Sequence, residues 1–192
     1  MNRPGIYAFN VYVRGLPSIV TIDDNMPFLY LKEKYLYFAQ PGWGGSLWAP
    51  LLEKSFAKVH GNYDNLNGGF PSEGFKYLTN APTSTYDLAG ESPISVNAFW
   101  EVIDDADSDK YMINIWTGGG PDGLGDQYED PVYHLPYSHA YTIIKTKAVT
   151  ATDGTVYKLL QVRNPWRVDY NFSGKWRDES DLWRLSSETF SA

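Results

Sequence analysis

The sequence predicts an α+β protein in two lobes, the second built mainly of antiparallel sheet. Three observations lead there. Runs rich in β-branched and aromatic residues come in pairs around short turn sequences, at 6–13 with 18–22 and at 139–147 with 155–163, a pattern of hairpins rather than of parallel crossovers. The strongest helical periodicity, over 46–60, follows the first pair instead of alternating with single strands. Gly68-Gly69 and a polar stretch from Thr79 to Ser95 interrupt the middle of the chain, which divides it into a first lobe, 1–69, and a second, 70–192.

In the first lobe, Arg14-Gly15-Leu16-Pro17 supplies the turn between the two strands, and Asp23-Asp24-Asn25 with Pro27 ends the hairpin. The aromatic run through Tyr35, Tyr37 and Phe38 reads as a further strand, closed by Pro41-Gly42-Trp43-Gly44-Gly45. From Ser46 to His60 the residues Leu47, Trp48, Leu51, Leu52, Phe56 and Val59 recur at helical spacing. Ser46 is the expected N-cap, Pro50 sits in the first turn, Gly61 follows the end, and His60 is a favourable charge at the helix C-terminus. The second lobe continues with short helices at 72–78 and 96–105 and a strand at 111–116. Gly118-Gly119-Gly120-Pro121-Asp122-Gly123-Leu124-Gly125 then forms a mobile loop placed to gate whatever lies beside the next strand. The last two strands flank Thr152-Asp153-Gly154 and pair as a hairpin. Asp105-Ala106-Asp107-Ser108-Asp109 begins like an EF-hand loop, but Lys110 and Trp116 occupy the positions that need Gly and Glu, so it reads as a solvated turn.

Composition bounds the chemistry. With 43% apolar and 16% aromatic residues, the 192-residue chain can bury a core. It has no cysteine, which excludes disulfides, thiolate metal sites and a nucleophilic thiol of its own. Sixteen Lys+Arg against 23 Asp+Glu leave a net charge of −7, the wrong sign for nucleic acid or an anionic membrane surface. No uncharged apolar run is long enough to be a transmembrane segment, and Met1-Asn2-Arg3-Pro4-Gly5 does not begin a signal peptide. The expectation is a soluble, cytoplasmic protein.

The final hairpin brings polar groups together. Asn164, at the end of its second strand, faces residues 139–143 of the first, and directly opposed Cβ atoms lie roughly 5 Å apart. His139 and Asn164 can therefore share a hydrogen bond, read here as running from imidazole Nδ1 to the amide oxygen. That would fix the tautomer and leave Nε2 as a base. For an arbitrary His and Asn a solvated sheet end is the simpler account, so the surrounding words decide.

Ser138-His139-Ala140-Tyr141 opens one strand, Arg163-Asn164-Pro165-Trp166 ends the next, and Gly174-Lys175-Trp176 follows. These words resemble the His and Asn segments of the calpain family, which shows Gly-His-Ala-Tyr and Arg-Asn-Pro-Trp-Gly there. Leu47-Trp48-Ala49-Pro50-Leu51-Leu52-Glu53-Lys54-Ser55-Phe56-Ala57-Lys58, running into Gly61, Tyr63, Leu66, Gly68-Gly69 and Glu73-Gly74-Phe75, is similar to the helix and linker after that family's first catalytic lobe. Val20 to Asp24 with Pro27 resembles its Val-Asp-Asp-x-x-Pro hairpin.

The resemblance implies a papain-like cysteine protease core, represented by the rear of the first lobe and most of the second, that cleaves polypeptide substrates in intracellular limited proteolysis. His139 maps onto the catalytic base, Asn164 onto the residue orienting it, and Trp166 onto the indole that shields their hydrogen bond from water. Gly68 and Gly69 match a pair lining the substrate cleft, with a lobe hinge as the equal alternative. The nucleophilic Cys maps onto an upstream segment of the first lobe, so this chain alone is expected to be inactive. Ser138 replaces a Gly and adds a side chain at the substrate-binding wall, and Arg167 replaces the Gly after Asn-Pro-Trp. The family's Ca2+ activation maps onto Asp178 and onto Asp169 or, by strict register, Asn171. Ser46 stands where an acidic ligand of another site would be, and calcium takes about 6–8 oxygens, so this stretch is expected to bind it weakly or not at all. The alternative reading is a catalytically inactive, calpain-derived module that binds peptides or proteins or serves regulation.

Overall fold

Val11, Val20 and Ile22 are buried between exposed neighbours, the period of a sheet covered on one face. The computed structural model describes residues 5–30, 34–90, 93–166 and 172–185. In it β1 (Ile6–Val13) and β2 (Leu16–Asp23) pair antiparallel. Arg14 (φ 52°) and Gly15 (φ 81°) between them are both left-handed. Two such residues make a tight turn whose twist matches the strands, so Leu16 and Pro17 belong to β2 rather than to the turn.

Helix α1 (Trp48–His60) and helix α2 (Pro71–Thr79) cover this hairpin. Val11, Val20, Ile22, Leu51 and Tyr77 form the buried cluster, with Phe56 and Val59 packed against it. Inside it the Ser55 hydroxyl donates to the Leu52 carbonyl at 2.7 Å and accepts from the Tyr77 hydroxyl at 2.9 Å, so both hydroxyls are satisfied within the packing. Ser46 is not the cap of α1. It lies outside the helix with its carbonyl accepting from the Gly42 amide at 2.8 Å, closing the preceding glycine turn, and Leu47 holds the cap position without a side-chain bond. Gly61 (φ 100°) ends α1 as expected, and His60 Nδ1 bonds back to the Phe56 carbonyl. The short strands β3 (Phe28–Tyr30) and β4 (Lys34–Leu36) pair with each other, and Phe38 lies beyond them, stacked on Tyr63 at 4.3 Å.

The chain divides into two compact units, Met1–Ser84 and Thr85–Ala192. Residues 70–84, placed by sequence in the second lobe, fall in unit 1, where Tyr77 is part of the core. Unit 2 contains α3 (Val96–Ser108) and a three-stranded antiparallel sheet ordered β5 (Ile113–Trp116), β6 (Ala140–Thr150), β7 (Val156–Arg163). Ser95 caps α3 by accepting the Ala98 amide at 3.2 Å.

The stretch from Asp105 to Ser108 is the last turn of α3, not a free solvated turn, and it is anchored to β6. Thr146, buried in the central strand, donates its amide to Asp107 Oδ2 at 2.9 Å and its hydroxyl to Asp104 Oδ1 at 2.7 Å. The β6–β7 register shifts between Ile143 and Lys145, and β5 pairs no further along β6 than Ile143. The carboxylates thus take over an amide that no strand covers.

The Thr146 amide holds the Asp107 carboxyl below its usual 3.8. A lowered folded-state value means stability that is present above 3.8 and lost as pH falls through the folded value. Asp107→Ala is expected to cost about 1–3 kcal/mol at neutral pH, because a buried amide loses its acceptor. The variant should also lose that part of the wild-type acid destabilisation, which urea unfolding of both proteins from neutral pH to below 3.8 measures.

Candidate active site

Thr142 pairs with Arg163 in the last rung of the β6–β7 ladder. One further step would set Asn164 opposite Tyr141, so His139 is its diagonal neighbour rather than its direct partner. Diagonal positions on one face are about 7–8 Å apart, a span for the far end of an imidazole. The bond that forms is accordingly between His139 Nε2 and Asn164 Oδ1, at 2.8 Å. The expectation of an Nδ1 contact is corrected by this register.

The same Oδ1 accepts the Trp166 backbone amide at 3.0 Å. A backbone N–H only donates, so it identifies that side-chain atom as the oxygen and orients the amide. Nε2 must then carry a proton, so in the neutral ring Nδ1 is the nitrogen with the lone pair. His139 is 6% exposed. Its ring packs against Trp166 at 4.1 Å and 45° and edge-on against Tyr141 at 4.8 Å and 86°. Little water reaches the hydrogen bond between them, which strengthens it. Chemically this is an imidazole whose neutral form has one defined tautomer, able to accept a proton at Nδ1 while the amide oxygen supports the resulting cation.

The backbone of His139 is held from the side of β5. Trp116 pairs with Ala140, which sets Thr117 beside His139. The Thr117 amide donates to the His139 carbonyl at 2.9 Å, and the Thr117 hydroxyl accepts the His139 amide at 3.0 Å while donating to the Pro136 carbonyl at 2.7 Å. Sequence reasoning passed over Thr117. Its signal was available as a hydroxyl residue one step past a strand that pairs with the histidine's own.

Ser138 is exposed, left-handed (φ 49°), and donates its amide to the Gly118 carbonyl at 2.9 Å. The start of the glycine loop is thereby tied down beside His139. A Cβ on Gly120 would lie 2.6 Å from a ring carbon of Tyr137, so this close approach needs glycine. Gly68 (φ 80°) and Gly69 (φ 152°) lie in unit 1, between the 3-10 turn at Asp64–Leu66 and α2, and open space surrounds the position of a Gly68 Cβ.

Asp169 and Asn171 lie outside the described residues, as does Arg167. Asp178 is exposed in a turn. Among the described residues no group of three or more His, Cys, Asp or Glu side chains is placed to hold a metal ion. His134 has Nδ1 at 3.6 Å from Glu129 Oε2, the contact of a surface pair.

Left-handed backbone costs a residue with a Cβ roughly 1–2 kcal/mol, and glycine recovers this at the expense of a more disordered unfolded chain. Ser138→Gly is therefore expected to stabilise unit 2 by roughly 0.5–1 kcal/mol, read as a rise in melting temperature. An unchanged or lowered value would mean that the Ser138 side chain makes contacts outweighing the strain.

Comparison with known proteins places this geometry. Residues 1–190 match the model of the calpain family cysteine proteases. The chain is 29% identical to the calpain-2 catalytic subunit of Mus musculus over 182 residues, covering 95% of this chain and 24% of that protein. It is 31% identical to the calpain-1 catalytic subunit of Homo sapiens over 188 residues, covering 93% of this chain and 24% of the relative. It thus spans about a quarter of the length of these relatives. With an α+β fold of helices and antiparallel sheets and a match running along nearly its whole length, the chain belongs to the calpain family of cysteine proteases.

Proposed function

We propose that this chain supplies the base and the orienting residue of a calpain-type cysteine endopeptidase, His139 and Asn164, to a cysteine carried on a first-lobe segment outside it. The observation that supports this most directly is Asn164 Oδ1 holding His139 Nε2–H while also accepting the Trp166 amide.

His139 Nδ1 takes the proton of the incoming thiol, and the thiolate and imidazolium form an ion pair. The thiolate attacks the scissile carbonyl of a polypeptide substrate. The imidazolium then gives its Nδ1 proton to the departing amine, and in the second half-reaction the neutral ring activates the water that releases the acyl group. Throughout, Asn164 retains the Nε2 proton and keeps the ring in plane, and Trp166 excludes water from that bond. Ser138 contributes to the wall that contacts substrate, and Gly68 and Gly69 match the family's pair that lines the substrate cleft, with a lobe hinge as the equal alternative. The setting is intracellular, calcium-controlled limited proteolysis, with Asp178 the described residue mapped to that ion. A second reading is favoured by the absence of any cysteine among the 192 residues: a catalytically inactive module that keeps the fold to bind peptides or proteins or to regulate another chain.

The two readings separate when a Cys-bearing first-lobe segment of a calpain is fused ahead of the chain. The expected result is hydrolysis of a fluorogenic peptide, abolished by thiol alkylation and reduced about 10³-fold or more by His139→Ala. A folded fusion with an alkylatable thiol and no hydrolysis would favour the binding module.

A further inference from the structure

Thr117 turns its backbone amide and its hydroxyl on one short stretch of chain. Its amide and hydroxyl engage the carbonyl and amide of His139, so both backbone groups of the histidine answer to one residue. The hydroxyl proton goes to the carbonyl of Pro136, which is fully buried. The segment it holds is one that would not keep its course unaided. Ser138 is left-handed immediately before the histidine, and His139 lies just outside β6, beyond the last rung with β5.

The ring of His139 has a narrow target. Nε2 reaches Asn164 along a diagonal of the sheet, at 2.8 Å, between two aromatic rings. A small rotation of the His139 backbone about its Cα would swing the ring off that oxygen and alter where Nδ1 points. Regular strand pairing supplies only half of this rung, the Thr117 amide on the His139 carbonyl, and leaves the His139 amide without a backbone acceptor from β5. The Thr117 hydroxyl replaces the missing half.

We propose that Thr117 is a positioning residue for His139, its hydroxyl fixing the histidine backbone so that Nε2–H stays on Asn164 and Nδ1 keeps one direction. This rests on the reading of His139 as the base, but its structural half does not require activity. The variants are Thr117→Val, which keeps the shape and removes the hydroxyl, and Thr117→Ser, which keeps the hydroxyl and removes a methyl.

In the chain itself, nitrogen NMR of labelled histidine should show wild-type His139 as the Nε2–H tautomer. Thr117→Val is expected to convert it to a mixture of tautomers and to speed exchange of the His139 amide about 10-fold or more. Amide signals of α3 and of the far end of β6 around Val149 should stay in place, showing that unit 2 remains folded, and Thr117→Ser should restore the wild-type pattern. In the Cys-bearing fusion, Thr117→Val should lower kcat about 10- to 100-fold with KM within about twofold. An unchanged His139 tautomer and amide exchange in Thr117→Val would overturn the proposal, as would failure of Thr117→Ser to restore them. A fusion inactive even with Thr117 in place would count against the catalytic reading, and the NMR result would still decide the role of Thr117.

Discussion

One amide oxygen governs the site. Oδ1 of Asn164 accepts the Nε2 proton of His139 and the backbone amide of Trp166, and because two donors converge on it, neither the asparagine nor the histidine has an alternative orientation that satisfies both. The second donor is what makes the first informative. An asparagine held only by the imidazole could turn over and present its NH2 group, forcing the opposite tautomer. The Trp166 amide forbids that, and the Trp166 ring covers the histidine it helps to orient. The proton-accepting character of Nδ1 in the neutral ring is therefore a consequence of backbone geometry three residues beyond the end of a strand.

The remainder of unit 2 can be understood as support for the two strand ends that meet there. A hairpin alone is marginal in water, and β6 is flanked on both sides. β7 pairs along most of it, while β5 covers its first residues and the last turn of α3 takes over further along. Buried positions on β6 fall at Tyr141 and Ile143 and then at Thr146 and Val149. The change in spacing coincides with the register shift between Ile143 and Lys145, and the irregularity turns Thr146 toward Asp104 and Asp107. That anchoring point holds the strand whose other end carries His139.

Which parts of this were legible in the sequence follows the range of the interactions. The two hairpins and α1 could be read because their signals are local: short turn sequences, apolar periodicity, a terminal glycine. The closeness of His139 and Asn164 was legible from the hairpin arithmetic and from the words around them. Which ring nitrogen they share was not, since it depends on whether the pair is direct or diagonal, and one residue of register decides that. Ser46 has the residue type of a cap, yet its carbonyl closes a glycine turn upstream. Asp107 looked like part of an acidic loop because its partner, Thr146, is remote in sequence. Thr117 escaped for the same reason, carrying no motif of its own and acquiring its partners only when β5 comes to lie along β6.

Among the described residues, the groups that orient His139 lie within unit 2: Asn164 and Trp166 after β7, Thr117 after β5, Tyr141 on β6. The work of preparing the imidazole therefore requires no nucleophile. A base whose tautomer and direction are set beforehand loses little freedom when a thiol arrives, and this is the circumstance in which proximity is most effective. It also explains how a chain without cysteine can retain a complete histidine environment. The interactions that would make His139 reactive are the same ones that close the end of the β6–β7 hairpin, so folding alone is enough to keep the arrangement. The geometry of the base alone does not distinguish an enzyme from its inactive derivative; the group brought to Nδ1 does.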